Sequence, residues 1–349
     1  MRIVKIAALL VILALAIIFP IVYSDPTVTN IAVFALIFAG AATGWNILAG
    51  YTGYIALGHA GYFGLGAYAI AIFCQDWNIQ GGYTPFFLVP LAGLVAAIVA
   101  VPLGWIALRV RRHTFVVITI AMFFILQLLA YNLTGLTNGT IGLTLPIPID
   151  WSGAFYNIPF YYAALIVLVV AAAISWWVRS SKFGLGLLAI RDDEDRARGL
   201  GVKTGSSKLA AFVISAFIVG MMGAIWAYYV ESVYPASAFD ANFDVAIALM
   251  TFLGGIGNIS GPILGGLLLE TTQQYFTLAS TYYYLVIYGS LFLVIILLLP
   301  RGIIPTIQYR WDKYRALRAN EPRTSEAAVA ALPTDGAPDV VEKKEGINL

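Results

Sequence analysis

The chain has 349 residues, 60% hydrophobic and 11% charged, with a formal net charge of +2. Soluble domains carry about 25% charged residues, so this composition excludes a water-soluble globule and points to an integral membrane protein. The small net charge says little about partners, whereas the grouping of the basic residues does, and the single cysteine, Cys74, excludes an internal disulfide and reads as a small apolar filler.

A hydrocarbon core of about 30 Å is crossed by about 20 apolar residues in a helix. On that measure about ten segments are expected to cross, at 5–24, 30–49, 54–74, 85–108, 114–133, 160–178, 209–230, 245–258, 261–279 and 282–299. Continuous apolar runs of this length must be helices, because lipid offers no partner to an open strand edge. The expected fold class is therefore all-α, a polytopic membrane protein.

In the first segment Arg2 and Lys5 precede the apolar run, and Val22 and Ser24 leave a cleavage site, so it is read either as a span or as a secretory signal. In both cases the chain emerges outside near Asp25. With the amino terminus inside, all but Lys5 of the 20 Lys and Arg fall in the inside regions 1–4, 109–113, 179–208 and beyond 300. Asp25, Asp76, Asp150, Glu231, Asp240 and Asp244 fall in outside loops, an asymmetry that agrees with the positive-inside rule. The eighth and ninth segments forming a re-entrant hairpin would leave this count unchanged.

The region 179–208 is the one long internal run that favours water. Its basic residues Arg179, Lys182, Arg191, Arg196, Arg198, Lys203 and Lys208 surround the acids Asp192, Asp193, Glu194 and Asp195, and it is read as a cytoplasmic loop that contacts another protein. The outside connection 132–159, with Pro146, Pro148 and Pro159, reads as a loop with a short helix. The expected division is a transmembrane domain over 1–305 and a cytoplasmic tail over 306–349. The start of the tail is basic and aromatic and suits the inner membrane surface, while its last thirty or so residues have a disordered composition.

There is no G-x-x-x-x-G-K-[ST] phosphate loop, no G-x-S-x-G turn and no His, Cys and carboxylate cluster at metal spacing. No enzyme, cofactor or metal is expected. The membrane part instead concentrates glycine in two runs. The first, over 50–68, includes Gly50, Gly53, Gly58 and Gly61; the second, over 253–266, includes Gly254, Gly257 and Gly261 beside Asn258. Such runs serve either close static packing of helices or local loosening that lines a cavity or makes a hinge.

His59 lies in the first run and either bonds a neighbouring helix or meets substrate. Glu270 is the one acid well inside an apolar span, with Gln273 and Gln274 on its face. A lone carboxylate in lipid costs about 3 kcal/mol on insertion scales, so Glu270 must face protein or water, either as a pathway group or as a bond between helices. Ten crossings divide into five plus five with opposite orientations, and the glycine-rich third span then corresponds to the eighth. That is the pattern of an inverted repeat with its pathway at the repeat interface.

The run GYTGYIALGHAGYFGLGAY, the LTNGTIGL run at 136–143, SKFGLGLLAIRDDEDRARGLGV, and LGGIGNISGPILGG followed by LPRGI at 299–303 resemble the successive signatures of the branched-chain amino acid ABC transporter permeases. They are most similar to the longer of the two paired permease subunits, over roughly residues 30–305. The resemblance implies a multi-pass permease of the bacterial inner membrane with both termini cytoplasmic. Its implied partners are a second permease, two cytoplasmic ATPases that bind the ATP, and a periplasmic substrate-binding protein. It places the coupling segment on Ala189, Ile190, Arg191, Asp192, Asp193, Glu194 and onward to Gly201. The pathway is then expected beside the glycine runs, at Asn46, Thr52, Gly53, Gly58, His59, Gly61, Gly254, Gly257, Asn258, Gly261 and Glu270. Arg196, Arg198 and the Arg112 and His113 pair depart from the family pattern, which bears on the match to a particular ATPase. The alternatives are a relative that moves urea or short amides, an ion-coupled transporter with a Glu270 and His59 relay, and a scaffold without transport.

Overall fold

Apolar length makes the helices of this chain, and short polar or glycine signals end them. The structure, a computed structural model, describes residues 2–23, 25–147, 151, 154–279, 289–290, 302–307 and 310. The helices are α1 (Arg2–Val22), α2 (Pro26–Thr52), α3 (His59–Asp76), α4 (Thr84–Ala107), α5 (Arg112–Asn132), α6 (Thr134–Thr137), α7 (Ala154–Ser180), α8 (Lys182–Asp192), α9 (Glu194–Gly199), α10 (Thr204–Val230), α11 (Pro235–Ala238), α12 (Ala241–Gly254) and α13 (Ser260–Ala279). The expected span at 282–299 and nearly all of the expected tail lie outside the described residues.

Among the described residues, six stretches are long and apolar enough to cross a membrane: α2, α4, α5, Phe155–Ser180 of α7, α10, and Pro235–Gly254. Helix α2 starts where the Asp25 carboxylate accepts the Thr27 amide at 2.7 Å, with Pro26 opening the first turn. It stops at Gly53, whose left-handed φ of 73° is open to glycine without strain.

Two expected boundaries move for that kind of reason. The third segment is not helical from 54; residues 53–58 are irregular and α3 begins at His59. The eighth is helical over Ala241–Gly254 in place of 245–258. Asp240 caps it early by accepting the Asn242 amide at 2.9 Å, and Gly255 and Gly257, with φ of 116° and 81°, end it early. At about 1.5 Å per residue its 14 residues alone fall short of a hydrocarbon core, and only with α11 does the stretch Pro235–Gly254 reach crossing length.

Helix α10 is the central rod and packs against α2, α3, α4 and α7. Its sides are buried by backbone contact: a Cβ on Gly66 of α3 would overlap the Gly220 carbonyl, and one on Gly223 would overlap the Phe63 carbonyl. Helices α2 and α13 meet in the same way, since a Cβ on Gly266 would stand 2.5 Å from the Ala39 Cα. Small residues allow this approach where lipid supplies no hydrophobic drive. Gly223→Leu is therefore expected to overpack the bundle at a cost of about 1–3 kcal/mol, read as a lower unfolding midpoint in detergent. Gly135→Ala, with nothing within 4 Å of the added methyl, should leave the midpoint in place.

The loops 108–111 and 181–203 lie at one end of the rods, called here the charged end. At the other end the connection after α5 holds α6, as expected, and also a strand that was not. Strand β1 (Leu143–Thr144) pairs antiparallel with β2 (Ser232–Val233), in the register Leu143 to Val233.

Candidate functional site

The last carbonyls of a helix have no partner within it, and positive charge is favourable there. Two arginines at the charged end meet this need across elements, and a third binds a carbonyl in a helix break. Arg112 Nη2 donates to the Ile190 and Arg191 carbonyls at 3.0 and 2.6 Å and so closes α8. Arg191 in turn reaches away from solvent and donates from Nη1 to the Gly50 carbonyl, in the last turn of α2, at 2.7 Å. Arg179, at the end of α7, donates to the Gly257 carbonyl in the break between α12 and α13.

The last turns of α2 touch the break between α12 and α13. Asn46, fully buried in α2, donates from Nδ2 to the Asn258 carbonyl at 2.8 Å and accepts the Gly257 amide on Oδ1 at 2.8 Å. One polar joint therefore unites Asn46, Gly50, Arg179, Arg191, Gly257 and Asn258. Three of the expected pathway residues and one expected coupling residue come together in it. Arg179 was missed as a member, although its position as the terminal charge of a long apolar helix is a signal for such a role.

Below the joint, Asp193 breaks α8 from α9. Its extended backbone and side chain cap α9, accepting the Asp195 and Arg196 amides at 3.0 Å each. The Arg196 amide is the main cause holding this carboxyl below its ordinary value. Ile190, Leu187 and Ala197 are buried, while Asp192, Asp195, Arg196, Arg198, Leu200 and Gly201 are exposed, Leu200 at 83%. Of the expected coupling residues, Asp192 and Gly201 are thus exposed; Ala189 is half-buried, and Ile190, Arg191 and Glu194 anchor the segment from beneath.

Glu194 belongs to a second network. Lys208 of α10, 3% exposed, donates to Glu194 Oε1 at 2.7 Å and to the Tyr54 hydroxyl at 3.0 Å, and that hydroxyl donates to Glu194 Oε2. The Lys208 ammonium also lies 4.3 Å from the Tyr54 ring centroid. Burial works against ionisation of Glu194, but the bonds from Lys208 and Tyr54 and the charges of Lys208 and Arg198 outweigh it and hold the carboxyl below the usual glutamate range. Since Tyr54 sits in the break after α2, this network ties α9, α10 and that break together. A groove of about 630 Å³ runs beside it, lined by residues of the 108–113 loop and by Asp192, Asp193, Glu194 and Asp195.

The remaining expected pathway residues are placed apart from the joint. Thr52 closes α2, donating to the Leu48 carbonyl at 2.7 Å and accepting the Tyr54 amide at 3.1 Å. Gly58 lies against the Thr119 carbonyl and Gly61 against Leu126. His59 is buried and its Nε2 lies 2.7 Å from the Ser215 hydroxyl, a bond to a neighbouring helix. Asp244, expected in an outside loop, is instead 3% exposed and caps α3, accepting the His59 and Ala60 amides at 2.8 and 3.1 Å. Gly254 and Gly261 face each other at the turn from α12 to α13. Glu270 is 1% exposed and accepts from Gln274 Nε2 at 2.9 Å, and no hydrogen bond joins it to His59.

Residues 27–296 match the family described as branched-chain amino acid transport system, permease component. The chain is similar to the high-affinity branched-chain amino acid transport system permease protein LivM of Escherichia coli K12, at 29% identity over 286 residues, covering 75% of this chain and 66% of LivM. It is also similar to the permease protein LivH of the same named system in Salmonella typhimurium, at 25% identity over 66% of this chain and 79% of LivH. A shorter likeness, 27% over 30% of the chain, is to the autoinducer 2 import system permease protein LsrC of Photorhabdus luminescens. The chain thus spans about two thirds of the length of LivM. No solved structure matches it.

Proposed function

This chain belongs to the family of branched-chain amino acid transport system permease components, and we propose from that premise that it is the permease subunit of an ATP-driven importer of branched-chain or related hydrophobic amino acids. The observation that carries the mechanism is the polar joint, in which Arg191 of the exposed α8 and α9 segment holds a carbonyl in the last turn of α2 while Asn46 and Arg179 hold the break between α12 and α13.

On this reading the charged end faces the cytoplasm of a bacterial cell, and ten crossings in an inverted five plus five arrangement put both termini there. Two ATPase subunits bind and hydrolyse the ATP, a second permease completes the pathway, and a periplasmic binding protein delivers the ligand to the opposite end. Closure of the ATPases presses on the exposed face of Asp192, Asp195, Arg196 and Leu200. The buried face cannot yield separately, because Arg112 fixes α8 and Lys208 fixes Glu194. Displacement therefore passes through Arg191 to Gly50 and, through Asn46, to Gly257. The glycines at these breaks accept backbone conformations that other residues resist, which suits two alternative packings of the half-helices.

The test is uptake of radiolabelled L-leucine by proteoliposomes holding the chain with its partner subunits. Uptake should require internal or external ATP on the ATPase side and survive an uncoupler; collapse with the uncoupler at full ATP would replace this reading by ion coupling. Leu200→Asp is expected to weaken co-purification of the ATPases about tenfold, since it charges an exposed apolar contact at the docking face. Labelling of Asp192→Cys by an impermeant maleimide on intact cells would reverse the orientation.

A further inference from the structure

At the end opposite the charged loops a second pocket opens among α2, α3, α10, α12 and α13. Its apolar walls are aromatic. Phe63 stacks obliquely on Phe243 with ring centroids 4.2 Å apart, Phe38 meets Phe243 at 5.2 Å, and Trp226 meets Phe63 at 5.5 Å. Its polar lining groups are Ser237, Asp240 and Asn242, with Gln273 contributed from α13. Asp240 uses Oδ1 to cap α12, and among the described residues its Oδ2 has no bond. The inner side lies near mid-depth: Asp244, next to Phe243, caps α3 beside His59, and His59 bonds Ser215 near the middle of α10.

The pocket holds about 150 Å³. An apolar cavity of about that volume accepts benzene, so a branched aliphatic side chain fits. Rings beside a carboxylate and side-chain amides match a zwitterion whose side chain is apolar, because the desolvated part meets the rings and the charged part keeps polar partners. We propose that this pocket is a transit site for a free aliphatic α-amino acid. The side chain lies against Phe38, Phe63 and Phe243, the ammonium meets the Asp240 carboxylate, and the carboxylate meets the Asn242 amide. The substrate class rests on the function proposed above; the location rests on the pocket alone.

The experiment is uptake of radiolabelled L-leucine by the assembled transporter in proteoliposomes. Asp240→Asn preserves the helix cap, since Asn caps as well as Asp, and removes the charge; uptake should fall about tenfold for loss of one charge-assisted bond. Ala246→Phe, at the pocket wall, should reduce uptake at least as much with subunit assembly intact. Should that variant fail to assemble, Asn242→Cys decides, with L-leucine slowing its reaction with an impermeant maleimide. Wild-type uptake retained in Asp240→Asn, or no protection by leucine, overturns the transit site and leaves the function standing. Absence of leucine uptake by the wild-type complex overturns the function and the site with it.

Discussion

Lys208→Met is expected to destabilise the protein by about 3 kcal/mol, read as a marked drop in its unfolding midpoint in detergent. The size follows from what is left behind. Lys208 and Glu194 are paired at 2.7 Å with side-chain exposures of 4% and 18%, so the variant strands a mostly desolvated carboxylate beside the Tyr54 hydroxyl. Arg198, 3.8 Å from the same carboxylate and 68% exposed, is too solvated to take over. Adding Glu194→Gln should recover much of the loss, because an uncharged pair has nothing to strand, and the difference between the double variant and the sum of the singles measures the pairing. Acid should act in the same direction. The Glu194 carboxyl is held below its ordinary value when folded, so its contribution is complete above the unfolded value of about 4.3 and is lost as pH falls through the lower folded value. Glu194→Gln should flatten that acid limb, and an unchanged limb would remove Glu194 from the account.

The rods were legible and their joints were not. Apolar length alone places α2, α4, α5, α7 and α10, and the observed starts lie one to six residues before the expected ones, in α2 because the Asp25 cap recruits polar residues into the first turn. The breaks were visible as glycine runs, but composition does not separate glycines that admit a neighbouring backbone, such as Gly66, from those that turn the chain, such as Gly53 and Gly257. Asp244 shows the limit most clearly. An acid beside an apolar run reads as a loop residue, and its role as the cap of α3 depends on an amide 185 residues away. The charged loop was read as one protein-contacting surface, whereas its arginines divide: Arg196 and Arg198 face solvent and Arg191 turns inward to an orphan carbonyl. Helix-end carbonyls of distant elements are what decide this, and they are assembled by the fold.

Arg191→Met is expected to lower ATP-driven leucine uptake by about 10- to 100-fold, the usual range of a coupling free energy between sites, while the ATPases still co-purify. The side chain is half-buried and spans from α8 to the Gly50 carbonyl, 2.7 Å from Nη1. Methionine keeps the bulk and loses the bond, so α8 can move without drawing the end of α2 after it. Arg191→Lys retains the charge but offers a single ammonium on a more flexible stem, and an intermediate rate is expected. Arg196→Met makes the contrast, since that guanidinium is 85% exposed and pairs only with Asp193 among the described residues. Its loss should weaken ATPase association and leave uptake per assembled complex close to wild type. If the two variants give the same profile, the inward arginine is one more docking contact, and the force must reach the helix breaks by way of Lys208 and Tyr54 instead.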